Sequence, residues 1–502
     1  MLSNATRQLI RERMSAEVGR IPKEAPIRVG LAYPSPYHIG MSSLGYHLMY
    51  RVLQGTDDVM CERLFLADGG DRAGTRAVEV SVSYESLREL SDFPILAFSV
   101  AYELELAGLV RMLEASKIPL RWQDRTAQHP FVLCGGPLTF SNPTPLLPFA
   151  DAIILGEADE IVAWAVKTIA ESADHAGARA ALAKHPNISV AEHHGEQLAT
   201  IAACDNAVLP AYSSIRTPFT ELSDMFLIET ERGCSRSCQY CVMRRSTNGG
   251  MRLVPQEVIL NTIPADVKRV GLVGAAVSDH PRIIDIVDTL ADRGCHVGLS
   301  SLRPDRLKDA FVASLRRAGY RTLTTALDGT SERMRAMIER RGKEKHYEAA
   351  AERARRHGYD RLKLYLMIGL PGETYEDVDE CVRFVSELSR QIPIALGIAP
   401  FCAKRNTPLD RQPYAGVQVV GDLLDRLRGG LKGRADVRGT SAKWAWVEYV
   451  IAQGGMAEGE ALAKAVRTGG SYADFRREFK LLGYDPNGRS KSLRNYLPLA
   501  RA

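Results

Sequence analysis

The chain has 502 residues, enough for about three domains at roughly 100 to 200 residues each. Its apolar share is 45% and its charged share 25%, and no run reaches the 18 or so apolar residues of a membrane span; disordered, collagen-like and membrane-spanning classes are excluded. With 65 basic and 60 acidic residues the formal charge is only +5, too little for a global nucleic-acid role, and the basic excess is local: from Phe401 onward 18 basic residues stand against 10 acidic ones.

Residues 1–25 predict a leading helix, with Ile10, Met14 and Val18 at helical spacing and no signal-peptide core, as expected of a cytoplasmic protein. Next, IRVGLAY is a β-rich run ending in the turn YPSPYHIG, followed by a helix capped by Ser42 or Ser43. The alternation recurs at FPILAFSV, PFVLCGG and AIILGEADE, each leading toward helical patterning. This predicts an α/β fold with a doubly wound parallel sheet over 26–175, its ligand rim formed by loops 34–40, 99–101 and 135–137 beyond the strands' carboxyl ends. Residues 176–220 read as a connecting segment. A second βα series over 221–405 (MFLIETERG, RVGLVGAA, HVGLSSL, RTLTTAL, RLKLYLMIGL, ALGIAPF) predicts a partial (β/α)6 barrel, with chemistry at its strands' carboxyl ends. From 406 to 502 the pattern is helical and basic, and Trp444 and Trp446 read as core rather than as a stacking platform for nucleic acid.

Nine cysteines, an odd number, argue against a disulfide scaffold and for reduced thiols. Cys61, Cys134, Cys204, Cys295, Cys381 and Cys402 each lie alone, which reads as packing. The other three form Cys234-Ser-Arg-Ser-Cys238-Gln-Tyr-Cys241, directly after the first strand of the second series. A structural zinc needs a fourth protein ligand, and none follows at suitable spacing. A 4Fe-4S cluster is held by three thiolates, leaving one iron open for a substrate or cofactor.

CxxxCxxC at this place resembles the signature of radical S-adenosylmethionine enzymes. The resemblance implies that the open iron chelates S-adenosylmethionine, that one-electron reduction by a partner such as flavodoxin or ferredoxin cleaves it to a 5'-deoxyadenosyl radical, and that this radical takes a hydrogen atom from a substrate. It also implies further contacts at the strand ends. Tyr240 resembles the aromatic near the adenine, with buried packing as its alternative. Gly274-Ala275-Ala276 stands where many members carry a Gly-Gly-Glu-like turn for the methionine amino group; the acid is missing, which leaves that group to backbone carbonyls. Ser300, Ser301 and Arg303 resemble ribose and carboxylate contacts, with capping and a surface ion pair as alternatives. Asp328 resembles a ribose or substrate contact, with Ser331 capping the next helix. Ile368 and Gly369 resemble the adenine contact of the fifth strand, and Glu373 and Thr374 start a helix.

A doubly wound domain ahead of such a barrel is similar to the cobalamin-binding class of this superfamily. Ser99 falls where that fold contacts the dimethylbenzimidazole tail, and Gly135 and Gly136 where a glycine pair admits the nucleotide loop. The motif that supplies an axial histidine is absent, and His38-Ile39-Gly40 lacks its acid and spacing, so a bound cobalamin would leave cobalt without a histidine. The expected enzyme transfers a methyl group to an unactivated carbon of a small-molecule or peptide substrate. Alternatives are a cobalamin-assisted rearrangement or cyclisation, a methylthiotransferase acting on nucleic acid, which requires three cysteines in the first domain where only Cys61 and Cys134 occur, and a non-catalytic cobalamin or redox sensor.

Overall fold

The computed structural model describes residues 2–69, 79–243, 250–300 and 302–487. Among these the chain forms two compact units, one of residues 2–224 and 450–484, the other of 225–449 and 485–487.

The first unit is built on a six-stranded sheet. Strands β1 (Ile27–Tyr33), β2 (Val59–Phe65), β3 (Ile95–Ser99), β4 (Phe131–Gly135), β5 (Ala152–Ile154) and β6 (Ile188–Ser189) lie in the order β2-β1-β3-β4-β5-β6. The first five pair in parallel, with Ile27 beside Val59, Val29 beside Ile95 and Ser99 beside Gly135, and β6 closes the edge antiparallel. The order 2-1-3-4-5 is that of flavodoxin-like folds, which bind ligands where the order reverses, between β1 and β3. Helices cover both faces because their apolar residues recur at helical spacing: Leu106, Leu109, Val110 and Leu113 of Glu105–Ala115 are buried, and Leu44–Gly55 starts where the Ser43 hydroxyl accepts the Tyr46 amide. Strand β2 does not stand out in the sequence, because Glu62 and Arg63 interrupt its apolar run; both are nonetheless buried.

The segment expected to connect the domains is built into the sheet instead. It supplies helix His175–Leu182, capped by Asp174, then β6, and a stretch in which Ala202 bridges Gly156. Part of the tail also belongs to this unit: helices Met456–Arg467 and Tyr472–Leu481 follow a turn whose Ile451, Ala452 and Gly454 carbonyls all accept from the Asn142 amide, and Arg121 pairs with Glu460 at 2.8 Å.

The second unit carries two parallel sets, β11-β10-β7 (His296–Leu299, Arg269–Val273, Phe226–Glu229) and β12-β13-β14-β15 (Thr322–Asp328, Arg361–Ile368, Ile394–Pro400, Ala435–Gly439), with a small antiparallel pair β8 (Glu231–Gly233) and β9 (Met251–Leu253). All six strands read from the sequence are present. Past residue 405, where a mostly helical domain was expected, β15 extends the parallel set; Asp436 and Arg438 on this half-exposed edge hide its strand pattern. Helix Tyr375–Leu388, which buries Val378, Cys381, Phe384 and Val385, shows why the βα units close: each helix turns one apolar stripe onto the strands.

Candidate active site

Strand β7 ends at Glu229, whose carboxylate holds Arg232 of β8 through two hydrogen bonds of 2.7 and 2.9 Å. The chain then leaves Gly233 into the cysteine loop. Cys238 is buried, and Cys234 and Cys241 are partly so. Gln239 anchors the loop: its amide donates to the Ile338 carbonyl at 3.1 Å, its side chain to Glu339 at 2.6 Å, and its carbonyl accepts from Leu409 at 3.1 Å. Next to it, the Tyr240 hydroxyl donates to the Asp328 carboxylate, which also pairs with Arg340. Asp328 has a left-handed backbone, φ 63°, at a bulge in β12, and burial pushes its carboxyl up against the pull of Arg340. Tyr240 and Asp328 are thus brought together, each facing the other, and Ser331 caps helix Glu332–Met337 as its alternative reading had it.

Burial pushes the Cys241 thiol up to about 11 and also raises Cys234, and Cys241 senses both other thiols. Such thiols stay protonated until a metal displaces the proton. Among the described residues no three ligating side chains already stand at metal-holding separation. The donor set itself, three soft sulfurs within eight residues of one anchored loop, fits an iron-sulfur cluster.

A second corner lies at the ends of β8 and β10. Glu231 is 1% exposed, and one of its oxygens, Oε1, accepts the Ala276 amide at 2.6 Å. A Cβ added to Gly274 would sit 2.1 Å from that oxygen, so glycine is required there for close approach. Burial pushes Glu231 up to about 8, with Glu229 and Asp279 adding to the shift. The Ser300 hydroxyl donates to the Gly274 carbonyl at 2.9 Å and accepts its amide at 3.2 Å, tying β11 to the same turn. Arg303 is drawn to Asp279 at 2.6 Å, and Arg306 and Arg236 reach the same carboxylate at 3.1 and 3.4 Å. Ser301 lies outside the described residues.

At the end of β13, Ile368 is buried and its carbonyl accepts from Phe401 at 2.8 Å. Gly369 donates to Glu373 at 2.5 Å, and Thr330 donates to the same carboxyl, which burial pushes up to about 7. Thr374 caps the following helix, as expected, while Glu373 turns back onto the strand end.

In the first unit Ser99, Gly135 and Gly136 come together on one apolar cavity of about 40 Å³, lined also by Leu31, Met49 and Ile154. Gly136 has φ 102° and packs on Val100, leaving no room for a Cβ. The lining suits an aromatic tail. The volume, at 10 to 15 Å³ for one water, is room for about three waters, and the unbranched Met49 is the flexible side chain of the lining. At the β1/β3 switch point, buried Glu105 accepts the Ala101 amide at 2.6 Å and the Ser35 hydroxyl at 3.1 Å, and burial pushes it up to about 7. His38 is partly buried on the short helix Tyr37–Gly40.

Sequence reasoning does not find Glu231, Asp279, Arg340 or Glu105. The one available signal is the repeated acid of the Glu-Thr-Glu run at 229–231, directly ahead of the cysteines.

Two family models match, described as "Radical SAM proteins, N-terminal" over residues 45–190 and "Radical SAM superfamily" over 228–385. The chain is 25% identical over 398 residues to "Uncharacterized protein MJ0966" of Methanocaldococcus jannaschii, covering 77% of this chain and 80% of that protein. It is also 25% identical over 255 residues to ribosomal protein uS12 methylthiotransferase RimO of Pelobacter propionicus, covering 46% of this chain and about half (54%) of that protein. Among solved structures, the cobalamin-dependent S-adenosylmethionine radical enzyme OxsB with aqua-cobalamin bound superposes with a TM-score of 0.50 at 14% identity, over 82% of this chain and 58% of that one, a likeness of fold. Among the described residues no helix is long and apolar enough to cross a membrane.

Proposed function

From the premise that the chain belongs to the radical SAM superfamily, we propose that it is an enzyme that binds a 4Fe-4S cluster on Cys234, Cys238 and Cys241 and uses it to cleave S-adenosylmethionine. The observation that carries this is three thiols within eight residues of one loop that Gln239 anchors beyond the parallel strands. When bound, the cluster supplies the electron that splits S-adenosylmethionine to methionine and a 5'-deoxyadenosyl radical, and an electron-transfer protein such as flavodoxin or ferredoxin is the proposed donor. The residues of this chain do the rest. Gln239 holds the loop, the Tyr240–Asp328–Arg340 chain fixes the loop's carboxyl side against β12, and Ser300 locks the 274–276 turn.

The first unit is proposed to bind cobalamin with its nucleotide tail in the Ser99–Gly135–Gly136 cavity, Met49 moving aside. Cobalamin would supply a methyl group that it takes from a second S-adenosylmethionine, releasing S-adenosylhomocysteine, to a carbon whose hydrogen the 5'-deoxyadenosyl radical has removed; the proposed reaction is thus methyl transfer to an unactivated carbon of a small molecule or peptide. Supporting this reading are the flavodoxin-like strand order and the convergence of those three residues. Incubation of anaerobically purified protein with S-adenosylmethionine carrying a deuterated methyl group and host extract tests it, with mass spectrometry for a labelled product. Release of 5'-deoxyadenosine together with a product bearing the labelled methyl is expected; substrate consumed with cobalamin bound and no label transferred overturns methyl transfer and leaves a rearrangement.

A further inference from the structure

We propose that Glu231 holds the α-ammonium group of S-adenosylmethionine, supplying from β8 the carboxylate that the 274–276 turn lacks. The inference rests on the S-adenosylmethionine chemistry proposed above and replaces the expectation that backbone carbonyls serve that group.

Three observations carry it. First, Glu231 is 1% exposed, and while its Oε1 takes the Ala276 amide, its Oε2 is buried with no hydrogen-bond partner among the described residues. A buried carboxylate oxygen in that state calls for a cation or a strong donor, since burial without one disfavours the charge. Second, four arginines of this corner are engaged elsewhere among the described residues. Arg232 is held by both oxygens of Glu229, and Arg236, Arg303 and Arg306 converge on Asp279. Third, the turn is shaped around this carboxylate: Gly274 has no room for a Cβ because Glu231 fills the space, and Ser300 locks the turn in that position.

The ligand class follows from the same geometry. A single carboxylate with one oxygen already taken by a peptide N–H is a poor cage for a metal ion, which needs several oxygens, but a good acceptor for one ammonium N–H. The site also lies three residues from Cys234, whose thiol senses the Glu231 charge, so the group held here sits beside the cluster loop.

The test uses the full chain, reconstituted anaerobically, with iron content measured first and binding measured by equilibrium dialysis. The probes are S-adenosylmethionine and its analogue lacking the α-amino group. Wild-type protein is expected to bind S-adenosylmethionine at least tenfold more tightly than the deaminated analogue. Glu231→Gln, which keeps an acceptor for the Ala276 amide, should retain its iron, bind S-adenosylmethionine about tenfold or more weakly, and bind the analogue like wild type. Equal binding of the two probes by the wild type, or equal S-adenosylmethionine affinity in both proteins, overturns the assignment to Glu231 while leaving cluster and cleavage intact. Wild-type protein that carries its iron yet binds neither probe overturns the underlying S-adenosylmethionine reading, and this proposal with it.

Discussion

Two buried charges, one in each unit, are held in opposite ways. In the first, Arg63 is closed on all sides: Glu17 takes two of its nitrogens at 2.7 Å and Glu85 a third at 2.6 Å, and Asp151 likewise joins Arg125 at 2.6 Å to Arg179 at 3.1 Å. In the second, at the barrel's strand ends, Glu231 keeps an oxygen without a partner among the described residues. A fully satisfied buried network stiffens a fold and asks for nothing more, whereas an unsatisfied one signals a ligand that the chain alone does not supply. The contrast separates charge that serves architecture from charge that serves chemistry.

The largest effect should come from the second unit. Changing Cys234, Cys238 and Cys241 together to Ala should abolish the cluster and all 5'-deoxyadenosine formation, read by iron content and by product chromatography. Iron retained at wild-type level in that variant would break the assignment.

The first unit's closed network should respond in stability. Arg63→Met leaves Glu17 and Glu85 buried without their cation, a defect expected to cost about 3 to 5 kcal/mol of unfolding free energy. Denaturant titration followed by circular dichroism measures it; a loss below about 1 kcal/mol would mean that the network is ornament rather than architecture.

How much of this contrast the sequence reveals follows from distance along the chain. The cysteine loop is legible because its three thiols lie within eight residues, and most strands are legible because each is a short, nearly continuous apolar run. Strand β2 is hidden by Arg63, whose partners Glu17 and Glu85 stand 46 and 22 residues away, so nothing local explains a charge in a buried strand. Strand β15 is hidden by its polar edge. Glu231 meets Ala276 across 45 residues and Arg303 meets Asp279 across 24, and only the parallel register brings them together. The missing acid of the 274–276 turn was visible; its replacement was not, because it comes from a different strand.

A pH titration sharpens the comparison further. Glu105 has its pKa raised to about 7 by burial, above its ordinary value of 4.5, so the folded state binds its proton more tightly than the unfolded chain does. Its contribution is therefore fully present below about 4.5 and is lost as pH rises through 7, about 3 kcal/mol in all. Unfolding free energy measured between pH 5 and 8 should fall with rising pH, and Glu105→Gln should flatten that slope; an unchanged slope would show that other groups set it.

The smallest effect tests whether the first unit is closed to ligands as well as in charge. Its cavity at Ser99, Gly135 and Gly136 holds about 40 Å³, and Met49 lines it. If a cobalamin tail enters by displacing Met49, truncating that side chain removes an obstacle that the ligand otherwise has to move. Met49→Ala should then bind hydroxocobalamin a few times more tightly than wild type, although the larger cavity lowers the stability of the free protein by roughly 2 kcal/mol or more. The two readouts move in opposite directions, which separates ligand entry from simple damage. His38→Ala serves as the control: with no histidine on cobalt, its bound spectrum should match the wild type's, band for band. Affinity that falls along with stability in Met49→Ala would place the tail elsewhere, and a shifted spectrum in His38→Ala would put that imidazole on the metal.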